Sequence, residues 1–258
     1  MSILKEGLLP NYCKEEFYKI NGKSQIIGIP MVSFCDIPLT RSNDFSLRYG
    51  KYAISLKKEW AIRNQINPIL YVEEDSIFRA LRYLRLHRND IRNKLAANGV
   101  NPLSRSATFP INKQGLDNLV KFSFLKGFES CVNTLFGHTK PYASIIKGKS
   151  IENYIENEWR YVVVQTEKVP WLDGKTEYET WRGSGKIKPM SSDALKEKKL
   201  VFQVNDIAYL ITNKENDKDK LSKDIMKLKA ICGMVLTDDD KLRLISKIIS
   251  FEQIEADF

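Results

Sequence analysis

The chain has 258 residues, 43% of them hydrophobic and 28% charged. That is ordinary for a soluble globular protein and long enough to bury a core without staples, which excludes collagen, a coiled coil and wholesale disorder. Lys and Arg number 41 against 32 Asp and Glu, a net charge of +9 that suits a polyanionic partner.

In chain order, the first ten residues lack the basic-then-apolar pattern of a signal peptide, and no later run approaches the ~18 apolar residues that cross a bilayer, so a soluble cytoplasmic protein without a membrane partner is expected. Pro30 to Pro38 is a short apolar run closed by a turn, with Asp36 as its cap. Tyr52, Ile54 and Leu56 alternate with smaller or polar residues, the period of a half-buried strand. Pro68 to Val72 reads as a second strand. Asp75 to Ala97 is the clearest helix: Ile77, Leu81, Leu84, Ile91 and Leu95 fall on one face, Arg79, Arg82, Arg85 and Arg92 off it, and Arg88 in the middle of the apolar stripe. Gln114 to Phe136 contains another helix. Arg160 to Gln165 is the richest β-branched run and is expected at the centre of a sheet. Asp173 to Lys188, with Gly183, Ser184 and Gly185, reads as a mobile loop. Leu200 to Val204, Ile207 to Thr212 and Ser246 to Ser250 read as strands. Asn213 to Lys223 reads as a solvated loop leading into a Leu221–Ile231 helix, with Ser222 or Asp219 as caps. Ser250-Phe-Glu-Gln253 has capping-box spacing for a terminal helix. Strands and helices do not alternate regularly, which predicts an α+β fold: one domain over residues 1–258, with a mixed or antiparallel sheet flanked by helices.

Few residues offer chemistry. The four cysteines, Cys13, Cys35, Cys131 and Cys232, show neither C-x-x-C spacing nor a histidine at a zinc interval, so no metal is expected. Nucleophile-elbow, P-loop and dinucleotide-binding signatures are absent. Of the two histidines, His87 reads as a surface residue, and His138 lies in the loop Phe136-Gly-His-Thr-Lys-Pro-Tyr142 with Lys140 and Tyr142. The densest constellation is Tyr154-Ile-Glu-Asn-Glu-Trp-Arg-Tyr161. On a strand from Trp159, Glu158 and Arg160 share one face and Trp159 and Tyr161 the other, and Tyr154 and Glu156 join the first face if the strand begins earlier. Glu158 and Arg160 then form either an ion pair without function or a site in which Glu158 orients a hydroxyl or meets developing positive charge while Arg160 holds a phosphate. Ser33 and Asp36 are candidates for lining a pocket. The basic helix 79–94 carries six Lys or Arg against one acid, Asp90, and is either a solvated face or a phosphate-tracking face for nucleic acid, with Arg88 buried against a carboxylate.

Several motifs in order resemble the AbiGi family of abortive phage resistance proteins, labelled antitoxin: Ile29-Pro-Met-Val-Ser-Phe-Cys-Asp-Ile-Pro-Leu39, Tyr49-Gly-Lys-Tyr-Ala-Ile54, Lys58-Glu-Trp60, Asn67-Pro-Ile-Leu-Tyr71, Lys140-Pro-Tyr142, Glu156-Asn-Glu-Trp-Arg-Tyr161, Asp206-Ile-Ala-Tyr209 and Ser246-Lys-Ile-Ile249. The resemblance implies a bacterial anti-phage role as antitoxin or regulator, with a cognate toxin or phage protein as partner. Its front half is also similar to ADP-ribosyltransferase-type folds, which implies as alternative an effector enzyme that takes NAD and uses a late glutamate, here Glu158, with Arg160 and Tyr154 beside it. The early Leu-x-His-Phe strand of that pattern does not precede Met1-Ser-Ile-Leu-Lys-Glu-Gly7, so no cofactor is expected outside the enzymatic alternative. A third alternative is nucleic-acid binding through Arg79, Arg82, Arg85 and Arg92.

Overall fold

A computed structural model describes residues 2–20, 23–41, 45, 48–73, 77–102, 107–146, 149–166, 169, 171–183 and 191–257. Helices and small antiparallel or mixed sheets follow one another without regular alternation, so the fold class is α+β as expected. The chain divides into two compact units, one of residues 10–33 and 68–198, the other of residues 1–9, 34–67 and 199–258.

In the first unit, Asn11–Ile20 runs antiparallel to Lys23–Cys35, in a register that pairs Cys13 with Ile29 and Glu15 with Ile27. Leu172–Asp173 also pairs with Lys23–Cys35, while Glu158–Val162 lies between that strand and the short Asn67–Pro68 strand. The expected central strand is therefore an interior one, although it starts at Glu158 and ends at Val162. Side chains alternate between faces, and both faces are covered. Phe17, Ile27, Ile29 and Met31 pack against Phe78, Leu81, Val132 and Phe136 of two long helices. Tyr12, Ile26, Val163 and Leu172 pack with Tyr178 and Leu195 on the other face. The segment expected as a loop after Asp173 thus contains a Lys175–Gly183 helix that buries Tyr178 and turns the edge of Trp181 onto Tyr12. Its apolar residues at helical spacing outweigh the Gly and Thr content. Ser184, Gly185 and the rest of 184–190 lie outside the described residues.

The two long helices, Ile77–Ala97 and Lys113–Gly137, form an antiparallel hairpin. Asn112 opens the second by accepting a hydrogen bond from Gly115 N at 2.8 Å. The stripe of the first runs through Phe78, Leu81, Arg85, Arg88 and Leu95, all buried. Arg85 was expected off this face. Positions 78, 81, 85, 88, 92 and 95 follow spacings of three and four, so the stripe is shifted by one residue from Ile77 and carries three arginines. Arg85 sits over the Phe136 ring, its guanidinium carbon 5.9 Å from the centroid. Arg88 donates to Asn133 Oδ1 at 3.0 Å, and Arg92 pairs with Glu129. The buried Arg88 is thus as expected, but in this contact a carboxamide stands where a carboxylate was expected.

In the second unit, Ile207–Thr212 pairs antiparallel with Ala53–Leu56 and parallel with Ile248–Ser250. Trp60 is fully buried, donates to Val201 O at 3.0 Å and packs edge-on with Phe34 and Phe202. Gly7, at φ 87, lets the chain turn where Leu8 bridges Leu200; a Cβ there would stand 2.5 Å from Leu200 O. The Leu200–Val204 strand reduces to that bridge, followed by a 3-10 turn, Val204–Asp206. Asn213–Lys223 is mostly helix: Glu215–Met226 starts where Asp217 accepts from Lys214 N, with acids in the first turn favoured by the helix dipole. Ser222 instead donates to Lys218 O inside that helix. Ser250 Oγ accepts from Gln253 N at 3.0 Å, as the capping-box spacing predicts for the Phe251–Asp257 helix.

Candidate functional site: a buried ionic cluster

The 3-10 turn Asn153–Glu156 ends at Asn157, which adopts left-handed backbone angles (φ 42, ψ 52) and turns the chain into the Glu158–Val162 strand. A left-handed residue is costly except for Gly, Asn and Asp, and asparagine fits here. This turn sets Glu156 and Glu158 on either side of Lys140, whose ammonium lies 3.1 Å from Glu156 and 3.0 Å from Glu158. Lys140 belongs to Thr139–Pro141, a short strand parallel to Leu70–Val72. Asn153 ties the turn to the same segment through Pro141 O at 2.9 Å.

Glu158 and Arg160 share a face, as the two-residue repeat predicts. Arg160 is fully buried. Its Nε donates to Glu158 Oε1 at 2.7 Å and its Nη2 to Oε2 at 3.1 Å, a bidentate pair. Nη2 also donates to Glu15 Oε1 at 3.0 Å, and Nη1 to Gly137 O at 3.1 Å. The last contact needs glycine at the helix end, because a Cβ on Gly137 would meet Val162 at 2.7 Å. Tyr71 Oη accepts from Glu158 N at 2.9 Å, and the Ser33 hydroxyl hydrogen-bonds the Glu158 carboxylate.

Burial alone would raise the Glu158 pKa. The Arg160 hydrogen bonds and charge, followed by Lys140 and Ser33, hold it instead well below the usual range, at about 2. Burial lifts Glu15 above the ordinary carboxylate value against the pull of Arg160. The two glutamates share one guanidinium, and the bidentate contact goes to Glu158, so Glu15 is the member that takes up a proton first. Burial, then the Glu15 charge, pushes the Cys13 thiol up to about 11. Lys140 loses stability as a cation through burial but gains more from Glu158, Glu15 and Glu156, and its pKa is raised. At neutral pH Glu158 is thus a fixed anion: it can accept hydrogen bonds or face a cation, but it cannot serve as a proton shuttle.

The other candidates divide. Tyr154 does not continue the strand; it sits on the preceding turn, half exposed, its ring stacked on Tyr142 at 5.7 Å and edge-on to Tyr71 at 5.4 Å. Ser33 is exposed beside Glu158, whereas Asp36 lies in the other unit, where Lys58 neutralises it at 2.6 Å instead of the expected cap. His138 ends the long helix with Nδ1 2.9 Å from Thr134 O, and its Nε2 has no hydrogen-bond partner. Arg79 is exposed and Arg82 half-buried, but Arg85 and Arg92 are held inside the hairpin and do not continue an outward basic row. Glu15, Tyr71, Cys13 and Gly137 were not singled out by sequence. Among the described residues no group of three His, Cys, Asp or Glu is placed to hold a metal ion, and no helix is long and apolar enough to cross a membrane.

Fold and site together define an α+β protein with a buried ionic cluster built on strands of its larger sheet. The family described as "Putative abortive phage resistance protein AbiGi, antitoxin" matches residues 6–213. The chain belongs to that family, whose members are abortive phage resistance proteins. It is similar to the abortive phage resistance protein AbiGi of Lactococcus lactis subsp. cremoris, with 27% identity over 263 residues covering 98% of this chain and all of that protein. No solved structure matches.

Proposed function

We propose that the protein acts in the bacterial cytoplasm by binding, as the antitoxin or regulator of a toxin partner in abortive infection. The observation that carries this reading is the engagement of the ionic cluster. Glu158, the carboxylate an enzymatic role would need, is bound by Arg160, Lys140 and Ser33 and stays ionised far below neutral pH, while its backbone N–H donates to the Tyr71 hydroxyl. Such a network fixes the geometry of a fold without turning over a substrate. The antitoxin description of the family supports the same direction. Expression of this chain alone is expected to leave bacterial growth unchanged, and its co-expression with a toxin encoded beside it to restore growth that the toxin alone arrests. Growth arrest by this chain alone would overturn the reading.

A second reading, an ADP-ribosyltransferase-like effector, is favoured by one feature: Ser33 is exposed next to Glu158, which is ionised at neutral pH. A fixed anion beside a hydroxyl suits developing positive charge. Calorimetric titration with NAD separates the two readings, since the binding reading expects no heat in the micromolar range.

A further inference from the structure

We infer that the outer face of the Lys113–Gly137 helix is a self-association surface, on which a second copy of this chain docks antiparallel about a twofold axis.

The helix is apolar on more than its buried side. Val132, Phe122, Leu125 and Phe136 face inward. On the opposite side Leu116, Val120, Phe124, Gly127, Cys131 and Leu135 are all exposed and form one continuous stripe. Exposure reaches 67% at Val120 and 57% at Phe124. Contiguous apolar surface of this kind on a soluble protein marks an interaction site.

The stripe carries a symmetry that favours a second copy as its occupant. Its spacings are four, four, three, four and four residues, the same read in either direction. Two such helices laid antiparallel about a twofold axis bring together positions whose numbers share one sum. Leu116 then meets Leu135, Val120 meets Cys131, and Phe124 meets Gly127. The central pair sets the largest side chain of the stripe against its smallest. Around Gly127 a Cβ would find nothing within 4 Å, so the space above it is open to receive the partner's ring. Glycine in the exposed middle of a helix is destabilising relative to alanine, and nothing within the unit requires it there. Close approach of another backbone or ring does.

Charge does not oppose the pairing. On the flank, Lys121 and Asp117 neutralise each other at 2.5 Å, and in this register they face Ser130 and Thr134, so like charges do not meet. The area fits a reversible dimer. Side chains of these sizes and exposures offer on the order of 500 Å² per copy, hence on the order of 1,000 Å² per pair, the lower bound for a specific association. The four-residue steps incline the stripe across the helix, so the two copies cross rather than run alongside, with contact densest at Phe124 and Gly127.

Sedimentation equilibrium of the purified chain across the micromolar range is expected to show reversible doubling of mass. Phe124→Asp should abolish the doubling. Gly127→Leu is the sharper variant: it fills open space in the monomer and removes a helix-interior glycine, so the melting midpoint should hold or rise while dimerisation is lost. Register is read by cross-linking. Val120→Cys should form an intermolecular disulfide with the native Cys131 under mild oxidation, and the added change Cys131→Ser should remove it. A chain that stays monomeric throughout the concentration range overturns the inference and leaves the stripe to a different protein partner. Equally, a dimer that survives Gly127→Leu and Phe124→Asp, or a cross-link that persists after Cys131→Ser, places the contact elsewhere.

Discussion

At the residue scale, the cluster around Arg160 shows how a carboxylate can be buried and yet remain charged. Transfer of Glu158 from water is unfavourable, and the bidentate guanidinium, the Lys140 ammonium and the Ser33 hydroxyl offset it. A depressed folded-state pKa means that the unfolded chain binds protons more readily, so the stabilisation from Glu158 is present in full above the ordinary value of 4.5 and is lost as pH falls toward 2. At 1.36 kcal/mol per unit, that loss is about 3 kcal/mol. Glu15 has the opposite sign: its raised pKa favours the folded state on protonation, which softens the acid limb. Urea unfolding of the wild type and Glu158→Gln at a series of pH values tests this. The variant should be less stable by about 3 kcal/mol at pH 7, since it leaves Arg160 without its main partner. The gap should narrow between about pH 4.5 and 2, as the unfolded carboxyl takes up its proton while the folded one holds its charge until the bottom of that range. A gap independent of pH would mean that Glu158 contributes through packing and not through charge.

Elements were legible where one period ran uninterrupted. Strand Ile207–Thr212, helix Lys113–Gly137 and the interior strand Glu158–Val162 follow from β-branched runs or long apolar stretches, and the Glu158/Arg160 face follows from alternation alone. The Asn11–Ile20 strand did not, because its inward residues Cys13, Glu15 and Phe17 include a charge that only the fold explains. With that strand, Glu15 also escaped notice. A usable signal was present, since Asn21-Gly22 between two extended runs is a strong hairpin signature. The helix expected at Leu221–Ile231 in fact spans Glu215–Met226, with Ala230–Ile231 a short strand: its polar first turns, taken for a loop, rest on capping and charge rather than on a wide apolar face. The arginine helix shows a one-residue shift in face assignment, caused by weighing Ile77 over the fully buried Phe78. Arg88→Ala probes the revised face. It removes a buried side chain and leaves Asn133 Oδ1 without its donor at 3.0 Å, so a loss of about 3 kcal/mol in unfolding free energy is expected. Unchanged melting would put Arg88 outside the packed seam.

For the whole molecule, the net charge of +9 suggests more outward positive surface than the structure displays on its basic helix. Arg88, Arg92, Lys140 and Arg160 each hold an internal acceptor, and Arg85 lies over an aromatic ring. Lys94 is matched by Asp90 at 2.7 Å. A phosphate-tracking row along residues 79–94 therefore reduces to Arg79 and Arg82 as its outward members among the described residues. Each phosphate contact on duplex DNA contributes about 0.9 to the slope of log affinity against log salt. The double variant Arg79→Gln/Arg82→Gln could thus remove at most about two units of slope, and as an exposed change it should alter stability by less than about 0.5 kcal/mol. Fluorescence anisotropy with duplex DNA over a salt series measures this directly. The binding reading expects the double variant to match the wild type in both affinity and slope. A slope smaller by about two units, with melting unchanged, would return the helix to nucleic-acid recognition through those two arginines, whereas adding Arg85→Gln should lower the melting temperature whichever outcome holds, because that side chain is part of the hairpin's interior.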